Sequence, residues 1–251
     1  MPITHKLIGN PLFSLLTKVL YQVPFNDVYC GMKILRKKFF KQIEFFSTGM
    51  VFCLEILIKS KINKAKMSEI PITLFKDGRK KGTSHLKTIS DGLKTLKFIM
   101  ICSPKLIFFI PSLIFFVSIP VTTLINFKIY DLNLEKIILI DFLLLFLSLQ
   151  FFMLGIYSTL RAKQINLYNG NLLNKFFRLF KLRYAIIISL LMIVASILLK
   201  ISDFKLFNEN YNFIIINLIA LLGINIIANS FFVSLLVIKE KDFVQTVITK
   251  N

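Results

Sequence analysis

Four long apolar runs follow Lys105, and they constrain the fold of this chain more than any other feature. Each run is close to the ~20 residues that an α-helix needs to cross the hydrocarbon core of a bilayer. No run of that length precedes Lys105. We therefore expect an all-α transmembrane domain over residues 105–239, with its four spans near Leu106–Phe127, Ile137–Leu160, Tyr184–Ile201 and Phe213–Ile238.

Basic residues concentrate in one loop between these spans, and this sets the expected orientation. The loops between spans one and two and between spans three and four carry two basic residues each. By the positive-inside rule, we expect the part before Lys105, the middle loop and the tail at 240–251 to be cytoplasmic. The middle loop carries Arg161, Lys163, Lys175, Arg178, Lys181 and Arg183.

Polar residues inside the spans are costly to expose to lipid. Asp141 lies near a span end, where we expect it to reach water. Gln150, Asn225 and Asn229 lie deeper, and we interpret them as partners in interhelical hydrogen bonds rather than as a transport path.

The net charge of +19 raises the question of a polyanionic partner. The first 104 residues hold 18 basic and 6 acidic side chains. A basic surface beside membrane spans meets anionic lipid headgroups, and no nucleic-acid-binding motif is visible, so we expect membrane lipids and no nucleic acid as partners. The three cysteines are far apart without a Cys-x-x-Cys pair, which indicates reduced thiols rather than a disulfide framework or a zinc site.

The part before the spans has a mixed pattern, which predicts an α/β domain over residues 1–86. Pro11 suits the first turn of a helix with apolar residues at helical spacing, and Ser47-Thr48-Gly49 suits the start of a helix over Met50–Lys61. The alternation over Ile70–Phe75 predicts an edge strand. Residues 87–104 predict an amphipathic helix in the headgroup plane, with Ile89, Leu93, Leu96 and Met100 on its apolar face.

Two features of this part carry candidate chemistry. Glu55 is a single acid in an apolar helix, and composition alone favours an exposed carboxylate on the helix surface. The loop Lys76–His85 combines four basic residues with Gly78 and Gly82. Glycines let backbone N–H groups approach an anion, and arginine offers a planar fork for phosphate oxygens, but a solvated basic loop fits the same spacing.

Over about residues 5–115, the order of several blocks resembles the C-terminal half of a membrane-bound family-2 glycosyltransferase. The resemblance is to the bacterial branch similar to dolichyl-phosphate mannose or glucose synthases, which join a GT-A-like nucleotide-sugar domain to transmembrane helices. It implies transfer of a sugar from a nucleotide sugar to a polyprenyl phosphate at the bacterial inner membrane. The blocks are GNPLFSLLTKVLYQVPFNDVYCGMKILRKKF, STGMVFCLEILIKSKINKAKMSEIPITL, KDGRKKGTSHLKTISDGLKTLKF and SPKLIFFIPS.

The resemblance also implies roles for particular residues. Asp27, with Cys30 and Gly31, matches the family's Asp-x-x-Ser/Cys-Gly block, and Glu55 matches the acid after its Thr-Gly-Met block. Both acids are expected to line the acceptor side of the catalytic cleft. Arg79 is expected to bind a phosphate of the donor or the lipid. The residues expected to bind phosphate are Arg79, Lys80, Lys81, Gly82, Ser84 and His85, with His85 standing where many relatives have Lys.

The expected metal site has no counterpart in this sequence. The family uses an Asp-x-Asp motif to hold Mg²⁺ or Mn²⁺, and no Asp-x-Asp occurs in these 251 residues. We therefore expect an incomplete α/β domain, with the chain a truncated form or one that needs an N-terminal partner chain, and inactive alone. Relatives are expected to form homo-oligomers through their spans. The alternative function is a non-catalytic membrane anchor or a helper that translocates a lipid-linked sugar.

Overall fold

The computed structural model describes residues 9–23, 25–73, 88–128, 134–165, 167, 182–202 and 209–237. The chain divides into two compact units. The first comprises Met1–Ser103 with Ala162–Tyr168, and the second comprises Pro104–Arg161 with Asn169–Asn251.

In the described part of Met1–Ser103, the first unit forms four helices: α1 (Asn10–Tyr21), α2 (Lys37–Gln42), α3 (Met50–Ile62) and α4 (Thr88–Cys102). The expected helix starts are confirmed, because α1 has a proline in its first turn and α3 begins directly after Gly49. A proline is tolerated there since the first N–H groups of a helix have no intrahelical partner. Gly49 has a φ of +64°, a conformation that side chains with a Cβ rarely adopt.

The expected edge strand is not present in the described residues. Residues 70–73 are irregular, and no strand occurs in any of the described ranges, so the α/β part of the predicted fold is not confirmed. A strand exists only when its N–H and C=O groups pair with a neighbour. Residues 66–73 form no backbone hydrogen bond with another described residue, and Ile70 and Ile72 remain exposed. The alternating pattern therefore identifies a segment that could form a β-strand, but it does not identify the neighbouring strand with which this segment would pair.

The core of the first unit lies between α3, α4 and the turn that follows α1. Each contributes apolar side chains, and α3 is the most deeply buried of these elements. These three elements contribute the buried apolar side chains of Val23, Phe25, Val28, Val51, Leu54, Ile56, Leu57, Ile58, Phe98 and Ile99.

The second unit consists of long apolar helices. A π-helical turn at Lys105–Phe109 leads into α5 (Ile110–Lys128), and α6 (Leu134–Gln164), α7 (Leu182–Ile201) and α8 (Glu209–Val237) follow. Among the described residues, four segments could cross a membrane by length and composition: Lys105–Asn126, Leu134–Gln164, Tyr184–Ile201 and Asn212–Leu236. These agree with the four predicted spans to within a few residues at each end.

Hydroxyl groups join α5 to α6 in two places. The Ser112 hydroxyl donates to the Ser148 carbonyl at 2.9 Å, and the Ser148 hydroxyl donates to the Ser112 carbonyl at 3.0 Å. Towards the C-terminus of α5 and the N-terminus of α6, the carboxylate of Asp141 accepts hydrogen bonds from the hydroxyls of Thr122 at 3.3 Å and Thr123 at 2.7 Å. The Asp141 carboxylate, expected to reach water, is thus half-buried and held by α5.

Of the three deeper polar residues, one forms a side-chain hydrogen bond to another helix within the described residues. The Tyr157 hydroxyl on α6 donates to Asn229 Oδ1 on α8 at 2.6 Å, which confirms the prediction for Asn229. Asn225 instead accepts a bond from the Asn229 amide within α8 at 2.8 Å. The side chain of Gln150 forms no hydrogen bond with another described residue. These bonds lie beside a core of Met153, Ile156, Leu160 and Val233.

Candidate functional site

The turn that contains Asp27 is held by the carboxylate of Glu69. The oxygens of Glu69 accept hydrogen bonds from the backbone N–H of Asn26 at 3.1 and 3.2 Å and from that of Asp27 at 3.3 Å. The side-chain amide of Asn26 donates another at 3.2 Å. This carboxylate therefore fixes the turn against the segment after α3. Glu69 has no role in the sequence-based prediction, although it lies near the end of the block that precedes the basic loop.

The Asp27 carboxylate itself remains accessible. Its Oδ1 accepts a hydrogen bond from the backbone N–H of Tyr29 at 2.9 Å, which closes a local turn. Its Oδ2 has no donor among the described residues, and the side chain is exposed. The turn thus presents one carboxylate oxygen in a fixed position, from which it could accept a bond from a hydroxyl or meet a cation.

Contacts with α1 and Lys33 seat this turn. The Tyr29 ring meets the Phe13 ring edge-to-face, with centroids 5.9 Å apart, and the Val28 N–H donates to the Ser14 hydroxyl at 3.4 Å. Burial raises the pKa of Tyr29 to about 12, so this phenol stays neutral. The Lys33 ammonium donates to the carbonyls of Val28, at 3.2 Å, and Cys30. Cys30 is half-buried and Gly31 exposed, beside the Asp27 turn.

Glu55 is fully buried, contrary to the exposed position that composition favours. Its carboxylate accepts hydrogen bonds from the backbone N–H of Phe46 at 3.1 and 3.2 Å and from that of Ser47 at 2.8 Å. Lys59, one turn further along α3, forms an ion pair with it at 2.7 Å. Burial alone would raise the pKa of Glu55, but the bonds from Lys59, Phe46 and Ser47 outweigh it and hold the pKa below its ordinary value.

Lys59 is the second residue of this arrangement, and it is 2% exposed. Its ammonium also donates to the backbone carbonyl of Glu44 and lies 4.5 Å from the centroid of the Phe46 ring. Together, Glu55 and Lys59 bind two backbone N–H groups and one backbone carbonyl of the segment before α3. The spacing of four residues places an acid and a base on one helix face, which is the signal that could have identified Lys59 from the sequence.

Glu55 and Asp27 thus belong to the same compact unit in different settings. No hydrogen bond joins them, and the oxygens of Glu55 are occupied by the segment before α3, whereas Asp27 keeps an open oxygen. This arrangement suits Glu55 to positioning the residues at 44–49. Its predicted catalytic role, like that of Asp27, stays a prediction.

The predicted phosphate-binding loop lies outside the described residues. These reach Thr73 on one side and resume at Thr88 on the other. Arg79, Lys80, Lys81, Gly82, Ser84 and His85 all fall between these points.

The described residues also lack a ligand set for the expected divalent metal. Nowhere in these ranges do three or more His, Cys, Asp or Glu side chains come together in a way that could hold a metal ion. The carboxylates of Glu55 and Glu69 are committed to N–H donors and, for Glu55, to Lys59, whereas Asp27 alone keeps an open oxygen. One carboxylate is not a ligand set for Mg²⁺ or Mn²⁺.

Comparison with known proteins finds one informative likeness. The chain is 27% identical over 112 residues to the Low-salt glycan biosynthesis hexosyltransferase Agl6 of Haloferax volcanii. The match covers 45% of this chain and 26% of that protein, so it spans about a quarter of the relative's length. No protein-family model matches the chain. No solved structure matches it either. The likeness supports the resemblance to glycosyltransferases at the coarse level of hexosyl transfer.

Proposed function

We propose that this chain forms part of a membrane-bound glycosyltransferase that moves a sugar from a nucleotide sugar to a polyprenyl phosphate. The observation that carries the proposal is the likeness to a hexosyltransferase in a chain with four helices able to span a membrane. The acceptor class comes from the family resemblance of the sequence blocks. The charge of the loops favours a cytoplasmic location for the first unit and both termini. The family resemblance adds that the reaction takes place at the cytoplasmic face of a bacterial inner membrane.

The geometry of the first unit is compatible with this function. A rigid turn presents the Asp27 carboxylate, and the buried pair of Glu55 and Lys59 holds the segment before α3. The basic loop follows in the sequence and precedes α4, which leads directly into the first span. We place Asp27 on the acceptor side of the cleft and assign phosphate binding to Arg79, with Lys80 and Lys81 as further cations.

The proposed reaction requires few catalytic groups. A phosphate monoester has a second pKa of about 6, so the lipid phosphate is already an anion near neutral pH. One of its oxygens attacks the anomeric carbon of the sugar and forms the new C–O bond. The bond to the diphosphate oxygen breaks, and the nucleoside diphosphate leaves with the electron pair. Arg79 and its neighbours would align the phosphates and stabilise the negative charge.

The remaining parts of the proposed active site are assigned elsewhere. The described residues hold no group of three metal-ligating side chains, and the sequence contains no Asp-x-Asp motif. We propose that the nucleotide-sugar strands and any metal ligands are supplied by sequence beyond these 251 residues or by a partner chain. No step of the reaction is assigned to a metal held by this chain.

The test compares charge removals in the native host's membranes. Arg79→Ala removes the proposed phosphate ligand, and Lys66→Ala removes an exposed charge after α3 as a matched control. Transfer of a radiolabelled sugar from a nucleotide sugar to lipid extract is measured alongside membrane insertion. A charge-assisted hydrogen bond contributes about 1.5–3 kcal/mol, so we expect transfer to fall about tenfold to a hundredfold in Arg79→Ala alone.

Two outcomes would contradict the proposal. Normal transfer by a normally inserted Arg79→Ala protein would remove the loop from the reaction. If Asp27→Asn and deletion of the gene also left transfer unchanged, the chain would be a non-catalytic anchor or a translocation helper instead.

A further inference from the structure

The polarity of α1 is the reverse of that of a soluble amphipathic helix. Its buried side chains are polar, with Thr17 fully buried and Ser14 6% exposed. Its exposed side chains include Leu12, Leu15 and Val19, which are 48%, 58% and 63% exposed. A helix on a soluble surface buries its apolar face and exposes its polar one. The exposed apolar side chains of α1 therefore lack the apolar contact that would remove them from water.

The inward polar residues of α1 are accounted for by local bonds. The Thr17 hydroxyl donates to the Phe13 carbonyl at 2.6 Å, and the Ser14 hydroxyl donates to Asn10 Oδ1 at 3.3 Å. Ser14 also accepts the bond from the Val28 N–H. The bond from Val28 joins α1 to the following turn, so the apolar face of α1 cannot turn inward without breaking that bond.

α1 lies against α4 in the same compact unit. The Phe13 ring packs at Gly92, where a Cβ would lie 4.0 Å from the ring, and the Tyr21 hydroxyl donates to the Ile99 carbonyl at 2.9 Å. These two contacts are eight residues apart along α1 and seven residues apart, in the same order, along α4. The two helices are therefore neighbours that run parallel.

α4 likewise exposes an apolar face. Ile89, Leu93 and Leu96 are 79%, 62% and 41% exposed, at the spacing of one helix face. Lys94 and Lys97 are exposed on the same helix. After α4 ends at Cys102, only Ser103 and Pro104 separate it from the first apolar span, so α4 has to lie close to the bilayer surface.

We propose that α1 is a second membrane-surface helix, which inserts Leu12, Leu15 and Val19 into the headgroup and acyl boundary beside α4. Three observations favour a lipid surface as the occupant of this face. The neighbouring α4 is continuous with a span, and the exposed stripe of Leu12, Leu15 and Val19 is apolar, with the exposed cation of Lys18 beside it. The first 104 residues have 18 basic against 6 acidic side chains, which suits anionic headgroups. The proposal does not depend on sugar transfer.

The experiment measures where α1 lies relative to lipid. Single cysteines replace Leu15 or Val19 in the full chain, with the native cysteines changed to serine, and each is labelled with the environment-sensitive dye NBD. The protein is reconstituted into vesicles of phosphatidylcholine and phosphatidylglycerol. Leu113→Cys, on an exposed position of the first span, is the lipid reference, and Lys66→Cys is the water reference.

We expect the labels at positions 15 and 19 to resemble the lipid reference. Their emission should be blue-shifted, quenched by lipids that carry a spin label near the headgroup, and protected from iodide in solution. Quenching by iodide to the extent found at position 66 would overturn the proposal. Protection from both quenchers would also overturn it, because a protein surface, from a partner or a second copy, would then cover α1.

Discussion

At the scale of single residues, the buried pair of Glu55 and Lys59 organises the first unit. The pair binds two N–H groups and one carbonyl of the segment before α3 and leaves no charge of its own uncompensated. Both residues, and the spacing of four that places them on one helix face, are visible in the sequence. Their burial could not be predicted, because it depends on the segment at 44–47 folding back over α3, and a contact of that kind leaves no periodic pattern in the sequence.

The depressed pKa of Glu55 predicts a pH dependence. Because the folded-state pKa lies below the ordinary value of about 4.3, the unfolded state binds more protons as the pH falls. The stability that Glu55 contributes is therefore complete above about pH 4.3 and is lost as the pH falls through the folded-state pKa. Hydrogen-exchange protection factors of the Phe46 and Ser47 amides should fall in this window. In Glu55→Gln, these protection factors should be low and independent of pH across it.

Removal of Lys59 tests the other half of the pair. Lys59→Met leaves a buried carboxylate without its cation, which costs about 3–5 kcal/mol in comparable sites. Lys66→Met, at an exposed position, should change the free energy of unfolding by less than about 0.5 kcal/mol. Unfolding in detergent micelles, followed by circular dichroism, measures both. Equal stability of the two variants would show that the pair does not hold the segment before α3.

At the scale of elements, the helices were predictable and the strand was not. Apolar length identifies a span, and proline and glycine mark the starts of α1 and α3, since these signals are local. The segment 70–73 carries a strand-like alternation, but pairing requires a neighbour from another part of a chain. The same reasoning explains why the interhelical bond of Asn229 could be expected as a type while its partner, Tyr157, could not be named.

Gly49 provides a test at the start of α3. Its φ of +64° would place a Cβ in a strained conformation, although nothing lies within 4 Å of that position. Gly49→Ala should therefore cost about 1–3 kcal/mol through backbone strain alone. Gly31→Ala is the matched control, because Gly31 also has open space around it and lacks a positive φ. Thermal unfolding of the purified variants measures the difference, and similar midpoints would refute the assigned strain.

At the scale of the whole molecule, the four apolar helices and the basic middle loop predict the topology. Asn133→Cys lies between the first two spans and Asn171→Cys between the second and third. In a cysteine-free background, a membrane-impermeant maleimide should label position 133 in intact cells and position 171 only after permeabilisation. The reverse pattern would overturn the orientation and place the basic loop on the wrong side for a cytoplasmic nucleotide sugar.

The close approach of α7 and α8 has a consequence for how the protein is made. These two helices form the most extensive contact between described helices, and a Cβ on Gly223 of α8 would lie 3.0 Å from Ile193 and 3.1 Å from the Ser189 carbonyl of α7. Small residues that let two backbones meet are typical of spans that associate by packing alone. We expect α7 and α8 to leave the ribosome as one hairpin and to enter the bilayer together. Biogenesis of this half of the membrane unit would then require no earlier span as a template.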